Sequence, residues 1–348
     1  MRLLFVGDSW LGSNARSLRE ALVRHSSIEL LEVNVDHYHP IGRSLVSRIA
    51  NRILNPLHLS ELKTDIRAAC KRFRPDCAMF YKGSEFSSEF ISDLGVPVVN
   101  YFPDCSPHAH GARLADAMGN YNLVISAKSF HPALWRDVYG YSNECVFVPH
   151  GYDPNIHLRK SYSTNKDLDI VLVATGRSEY HSLMIELSKK IGNLPLRVAI
   201  AGASWARMRG VLPSGWDLVG PEVGIGYTEL LSRGKVILAP VQRQILIDGK
   251  PQPGDEDSAR TYELPAANCF FIHRRTDFVK TIFDEETEVP MYDSPEELGE
   301  KIIHALRNSD RQRQAIASAA HRRAVPNYSI DARANQIVAT LTIFLPEY

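Results

Sequence analysis

The residues best equipped for chemistry lie in one run, Asp255-Glu256-Asp257-Ser258-Ala259-Arg260-Thr261-Tyr262-Glu263-Leu264-Pro265-Ala266-Ala267-Asn268-Cys269-Phe270-Phe271. Ser258 to Ala267 can form a helix. Its first turn would present backbone N–H groups without intrahelical acceptors, at the positive end of the helix dipole. Such an end suits a diphosphate, and Ser258 and Arg260 are placed to add a hydroxyl and a cation. Glu263 follows one turn later, where the plainest role for a carboxylate is to serve the dipole.

Two other runs carry reactive groups. Gly7-Asp8-Ser9-Trp10-Leu11-Gly12-Ser13 follows an apolar stretch but is not G-x-G-x-x-G, so dinucleotide binding is not indicated. Asp8 there reads as a turn or cap residue unless a ligand reaches it. Asp104-Cys105-Ser106-Pro107-His108-Ala109-His110-Gly111 holds an acid and two imidazoles, any of which could take a proton from a hydroxyl. His108 and His110 also spell a metal-like pair, but no third ligand accompanies them.

Positioning these groups requires a scaffold, and the first half of the chain alternates strands with helices. Apolar runs at Leu3–Val6, Ile28–Val33, Cys77–Tyr81, Val96–Tyr101, Leu123–Ser126 and Cys145–Val148 are bounded by Gly, Pro or Asn. Helical patterns cover Ala15–Arg24, Ser44–Leu54 and Ser60–Phe73. Buried strands interleaved with helices predict a parallel, doubly wound sheet. After a turn-rich junction at Pro149–Pro154 and a polar stretch to Asp167, the alternation restarts. Strands are predicted at Ile170–Ala174, Leu196–Ala201, Val236–Ala239 and Cys269–Ile272, with helices at Glu179–Lys190, Tyr227–Ser232, Pro295–Arg307 and Arg311–Arg323. The expected domains are 1–152 and 153–327; for a final helix at 328–348, packing back on the first is one option, and pattern alone does not decide which domain takes it. Ligands in such sheets sit beyond the carboxyl ends of the strands.

Composition narrows the class. The 348 residues suit two domains, and 40 Lys plus Arg against 40 Asp plus Glu leave no field favouring nucleic acid. Five scattered cysteines without a C-x-x-C pair fit reduced thiols in a cytoplasmic protein. The short apolar start ends at Gly7, and no stretch approaches the roughly 18 apolar residues of a membrane span. A soluble chain is expected, with peripheral contact at an inner membrane face left open.

The run at 255–271 resembles the S-x-R-x-(F/Y)-E-x-(P/A)-A-x-G signature of group 1 (GT4-like) glycosyltransferases, especially their CgeB-like subgroup. Further pieces follow in the family's order: Lys82-Gly83, Asn100-Tyr101-Phe102-Pro103-Asp104, Val148-Pro149-His150-Gly151-Tyr152-Asp153-Pro154 and Tyr292-Asp293-Ser294-Pro295-Glu296-Glu297-Leu298. The resemblance covers most of the chain and is strongest over 145–330. It implies an α/β GT-B architecture, two Rossmann-like doubly wound domains facing a cleft.

The resemblance also assigns roles. Glu263 would accept both hydroxyls of a ribose. Asp255 stands where the family often has a longer acid touching the donor sugar; here it is a shorter acid in a Gly- and Pro-rich loop, as readily a solvated one. Arg177, in the loop after the first strand of the second domain, would neutralise donor phosphates, against the alternative of a solvated arginine. Lys235 is a weaker donor-side candidate, since Arg233-Gly234-Lys235 equally suits a basic helix end. Asp8, Asp104, His108 and His110 would lie on the acceptor side. Asp255-Glu256-Asp257 matches the D-x-D metal signature of the other glycosyltransferase architecture, but it follows Lys250-Pro251-Gln252-Pro253-Gly254 where that motif ends an apolar strand. Metal and cofactor are therefore not expected.

The expected function is transfer of a hexosyl-type sugar from a nucleotide-diphosphate donor of the UDP or GDP type to a hydroxyl of a glycan, lipid-linked or protein acceptor. Nucleic acid is not an expected partner. The alternatives are a nucleotide-sugar epimerase, which would use the same donor site, and a non-catalytic sugar-binding or surface-assembly protein on the same scaffold.

Overall fold

The computed structural model describes residues 1–38, 45–110, 112–247 and 249–345, with side chains described for all of these except 45–53, 109 and 110. Among them the strands β1 (Arg2–Gly7), β2 (Glu29–Asn34), β3 (Cys77–Tyr81), β4 (Val98–Phe102), β5 (Leu123–Ser126) and β6 (Glu144–Phe147) form one sheet in the order β2-β1-β3-β4-β5-β6. Every pairing is parallel. Both faces are covered, which is why β1 is apolar throughout. Leu3 and Phe5 enter one core with the helix Asn14–Arg24, while Leu4 and Val6 enter another with Leu62 and Ile66 of the helix Leu45–Phe73.

A second six-stranded parallel sheet contains β7 (Leu168–Val173), β8 (Val198–Ala201), β9 (Trp216–Val219), β10 (Gly234–Ala239), β13 (Phe271–Arg274) and β14 (Met291–Tyr292). Its order is β14-β13-β10-β7-β8-β9, which counted from β7 is the Rossmann order 3-2-1-4-5-6. The remaining strands, β11 (Gln244–Ile247) and β12 (Lys250–Pro253), pair as an antiparallel hairpin.

The chain divides into two compact units. The first comprises residues 1–150, the hairpin segment 244–254 and the chain from Ile330 onward; the second comprises 151–243 and 255–329. The hairpin joins the first unit by strand alternation. Ile245 and Ile247 are buried in its core, while Leu246 between them is 70% exposed. The helix Ile330–Phe344 joins through Ala334, Ile337, Val338 and Leu341, packed beside Leu18 and Leu22 of the first helix.

Three local expectations change. The helices predicted at 44–54 and 60–73 are one helix, Leu45–Phe73, running through Pro56; Ser44 lies outside the described residues. Proline removes one N–H from the helical ladder, but Leu62, Ile66, Ala69 and Cys70 pin the following turns to the sheet. Lys250-Pro251-Gln252-Pro253, read as loop, is β12, and a two-stranded hairpin tolerates its missing N–H groups at an edge. The strand β9, Trp216-Asp217-Leu218-Val219, was not expected because an edge strand lacks a continuous apolar run.

Leu341 is fully buried in the first unit's core. Leu341→Ala should lower the unfolding free energy by about 2–5 kcal/mol, measured by urea denaturation. A change within ±0.5 kcal/mol would show that this helix does not complete the core.

Candidate functional site

In the second sheet, crossovers leave β7 and β10 in opposite directions, which opens a crevice at their carboxyl ends. Arg260, in the helix Ala259–Ala266, reaches into this point. Its Nη2 donates to the Pro240 carbonyl after β10 (2.6 Å) and to the Tyr180 hydroxyl (3.4 Å), and Nη1 donates to the Val173 carbonyl ending β7 (3.4 Å). All three partners are uncharged, and among the described residues Arg260 makes no ion pair. Ser258 is the N-cap of this helix, and its own N–H donates to Thr261 Oγ1 (2.9 Å).

Arg177 and Asp255 come to the same place. Exposed Arg177 caps the helix Ser178–Ile191 and donates to Gln242 Oε1, in the loop after β10. Asp255 is 5% exposed, so it is not the solvated acid its loop suggested. Its N–H donates to the Gln242 carbonyl (2.6 Å), and its own carbonyl accepts from Arg243 (3.0 Å). Tyr180 registers the cluster: burial raises its hydroxyl pKa, and Arg260, Asp255 and Arg177 all act on it electrostatically. Beside them Gly202, at φ +140°, lets the loop after β8 pass the Ala174 carbonyl where any side chain would collide.

Glu263 lies deeper, 8% exposed. Its Oε2 accepts from the Tyr227 hydroxyl (2.8 Å), and His157 Nε2 stands 3.7 Å from Oε1. Neither neighbour was evident in the sequence, because each comes from a different segment of the unit.

Lys235 is not part of this group. It is the second residue of β10, near the strand's amino end, and its Nζ pairs with Asp169 of β7 at 2.8 Å. The rest of the strand separates it from Pro240 and the Arg260 guanidinium. Asp255-Glu256-Asp257 also do not converge. Glu256 faces Arg243 (3.6 Å) and Asp257 accepts from the Tyr262 hydroxyl (2.5 Å). Among the described residues no three His, Cys, Asp or Glu side chains are grouped to hold a metal ion.

In the first sheet the strand order turns between β1 and β3. Asp8 follows β1, half-buried, accepting from Ser13, the N-cap of the next helix. Burial raises its carboxyl pKa against hydrogen bonds from Ser13 and Trp10. Lys82 follows β3 at φ +68°, and its Nζ pairs with Asp104 beyond β4 at 2.8 Å. Lys128 after β5 and His150 after β6 are both buried near this pair. Burial first, then Lys128 and Arg333, hold the His150 imidazole down at a pKa of about 3, so it is neutral. His108 is exposed, and its ring stacks on Tyr139 at 5.9 Å; the His110 side chain lies outside the described residues. Lys82 carried a sequence signal, a lysine beside Gly83 at a strand end. Lys128 carried none.

Comparison with known proteins supplies the class. Residues 178–339 match the family model described as "Glycosyl transferase-like", just under half of the chain. The sequence matches no curated protein. Among solved structures, sucrose-phosphate synthase from Thermosynechococcus elongatus aligns over 100% of both chains (TM-score 0.66, 11% identity). HepE from Anabaena in complex with UDP-glucose aligns over 99% of this chain and 100% of its own (0.64, 12%). AviGT4, a glycosyltransferase involved in avilamycin A biosynthesis, aligns over 100% and 99% (0.62, 13%). The chain has a GT-B fold, and residues 178–339 carry a glycosyl transferase-like domain. No described helix is long and apolar enough to cross a membrane.

His150 and His273 titrate at about 3 and 4, against an ordinary 6.5, because both are buried. The unfolded chain therefore binds more protons below pH 6.5, and stability is full above that pH and falls toward pH 4. His150→Asn should flatten the decline by up to about 1.4 kcal/mol per pH unit between pH 6 and 4, read from urea unfolding across pH. An unchanged slope would mean that the ring is not held neutral.

Proposed function

We propose that the chain transfers a sugar from a nucleotide-diphosphate sugar of the UDP or GDP type to an acceptor hydroxyl, with no metal ion or cofactor. The observation that carries this reading is the Arg260 guanidinium, held by two carbonyls and a tyrosine hydroxyl at the switch point of the second sheet beside a helix N-terminus. An anion there would meet an unneutralised cation and free N–H groups, which together stabilise a leaving diphosphate without metal. Arg177 adds a second cation and Ser258 a hydroxyl. Asp255 is the donor-sugar contact, and Glu263 accepts ribose hydroxyls. UDP-glucose in the structurally similar Anabaena protein supports a uridine donor.

The acceptor belongs to the first unit, at the carboxyl ends of β1, β3 and β4. Asp8 and Asp104 are the groups there suited to receive the acceptor proton, with His108 and His110 as further candidates. Asp104 is paired with Lys82, whereas burial raises the Asp8 carboxyl, so Asp8 is assigned as the base. The acceptor is a glycan, lipid-linked or protein hydroxyl, and the CgeB-like motif at 255–271 favours glycan or glycoconjugate synthesis.

A thermal-shift titration against UDP, GDP, CMP and dTDP tests the donor site. One of them, at a hundredfold excess over its Kd, should stabilise the protein by about 2.7 kcal/mol, and Arg260→Ala should abolish the shift. If no nucleotide shifts the native protein, the donor site is not where we place it. Asp8→Asn should lower kcat roughly 10²–10⁴-fold with nucleotide binding intact.

A further inference from the structure

The carboxylate of Glu263 is gripped before any ligand arrives. Three segments of the second unit meet around it. The helix Gly224–Arg233 contributes Tyr227, whose hydroxyl donates to Oε2 at 2.8 Å. The turn Asp153–His157 contributes the imidazole, and the next residue of the helix, Thr228, ties that turn down by donating to the Ile156 carbonyl at 3.0 Å. The helix Ala259–Ala266 carries Glu263 itself. The His157 ring is oriented too. Its Nδ1 accepts the Asp153 N–H at 2.9 Å, so the neutral ring carries its proton on Nε2, the atom facing Glu263 Oε1 at 3.7 Å. The two rings meet edge-to-face, centroids 5.8 Å apart.

This arrangement has a chemical consequence. A carboxylate's terminal torsion is soft and roughly two-fold, so a buried one without partners samples several planes. Tyr227 removes that freedom with an uncharged donor. It keeps its proton at every working pH, because burial and the Glu263 charge push its own pKa well above 10. One of the roughly four lone-pair positions of the carboxylate is thereby filled, and the others stay in a set plane.

We infer that Tyr227 is a positioning residue: by fixing the plane of Glu263 it sets the protein's preference for ribonucleotides over 2′-deoxyribonucleotides. The inference rests on the reading that Glu263 accepts ribose hydroxyls. Two cis hydroxyls are met together only by a carboxylate held in one plane. A site built to hydrogen-bond a hydroxyl discriminates against the analogue that lacks it. Without the Tyr227 hydroxyl the carboxylate turns, one ribose contact weakens, and the analogue that never made that contact loses little.

Titration calorimetry with UDP and dUDP, and with GDP and dGDP, reads this directly on the wild type, Tyr227→Phe and Glu263→Gln. The wild type should bind its ribonucleotide at least roughly tenfold more tightly than the 2′-deoxy form, the scale of one hydrogen bond to a charged group. Tyr227→Phe keeps the buried ring, and its melting temperature is measured alongside. It should lose most of that ratio through weaker ribonucleotide binding, with 2′-deoxynucleotide binding nearly unchanged. His157→Gln, at the other oxygen, should lower the ratio less, and it carries the test if Tyr227→Phe does not fold. A wild-type ratio in Tyr227→Phe, with the ratio lost in Glu263→Gln, overturns the role of Tyr227 and leaves the donor site standing. A wild-type ratio in Glu263→Gln, or no nucleotide binding by the wild type, overturns the ribose role of Glu263 and the inference with it.

Discussion

The second unit is organised around one guanidinium. At the switch point of a parallel sheet the last carbonyls of adjacent strands lose their neighbours, because the crossovers depart to opposite faces. Arg260 answers both, bonding the carbonyls of Val173 and Pro240 and so spanning the ends of β7 and β10. A carboxylate in the same place would have cancelled the charge. Carbonyls and a tyrosine hydroxyl hold the cation in position and leave its field intact. The helix that carries Arg260 is thereby set with its amino end at the crevice and Glu263 one turn deeper, buried against Tyr227 and His157.

The first unit handles charge in the opposite way. At its switch point Lys82 and Asp104 are paired, and the nearby His150 is kept neutral by burial and by the cations Lys128 and Arg333. Asp8, which accepts from Ser13, is the acid whose proton affinity burial has raised, with the Lys82 charge acting against it. An unneutralised cation suits anion binding, and a desolvated carboxylate suits proton transfer. The two sheets thus carry complementary chemistry on two different orders of a parallel, doubly wound topology.

That topology is not collinear with the sequence. The hairpin of β11 and β12 and the final helix come from far along the chain, yet both belong to the first unit. Each is recruited by apolar burial: Ile245 and Ile247 on one side of a strand, and the stripe of Ala334, Ile337, Val338 and Leu341 along a helix. The hairpin directly precedes Asp255, so the acid of the second unit emerges from a segment anchored in the first.

Read alone, the sequence determined the interior strands of both sheets, since fully buried parallel strands must be apolar from end to end. It determined the helix at Ser258, since a cap, a first turn and an apolar stripe are local. It also carried more about Lys235 than its charge suggested: a residue at the start of a strand lies at the amino edge, opposite the ligand side, where the structure shows it with Asp169. What it did not carry were pairings made across space. Tyr227 and His157 reach Glu263 from 36 and 106 positions away in the chain, and Lys128 reaches the neighbourhood of Asp104 and His150 from a different strand end. Periodicity encodes which side of its own element a residue faces. Which other elements it meets is decided by strand order and by where each helix lands, and those are settled only when the whole apolar surface is buried at once.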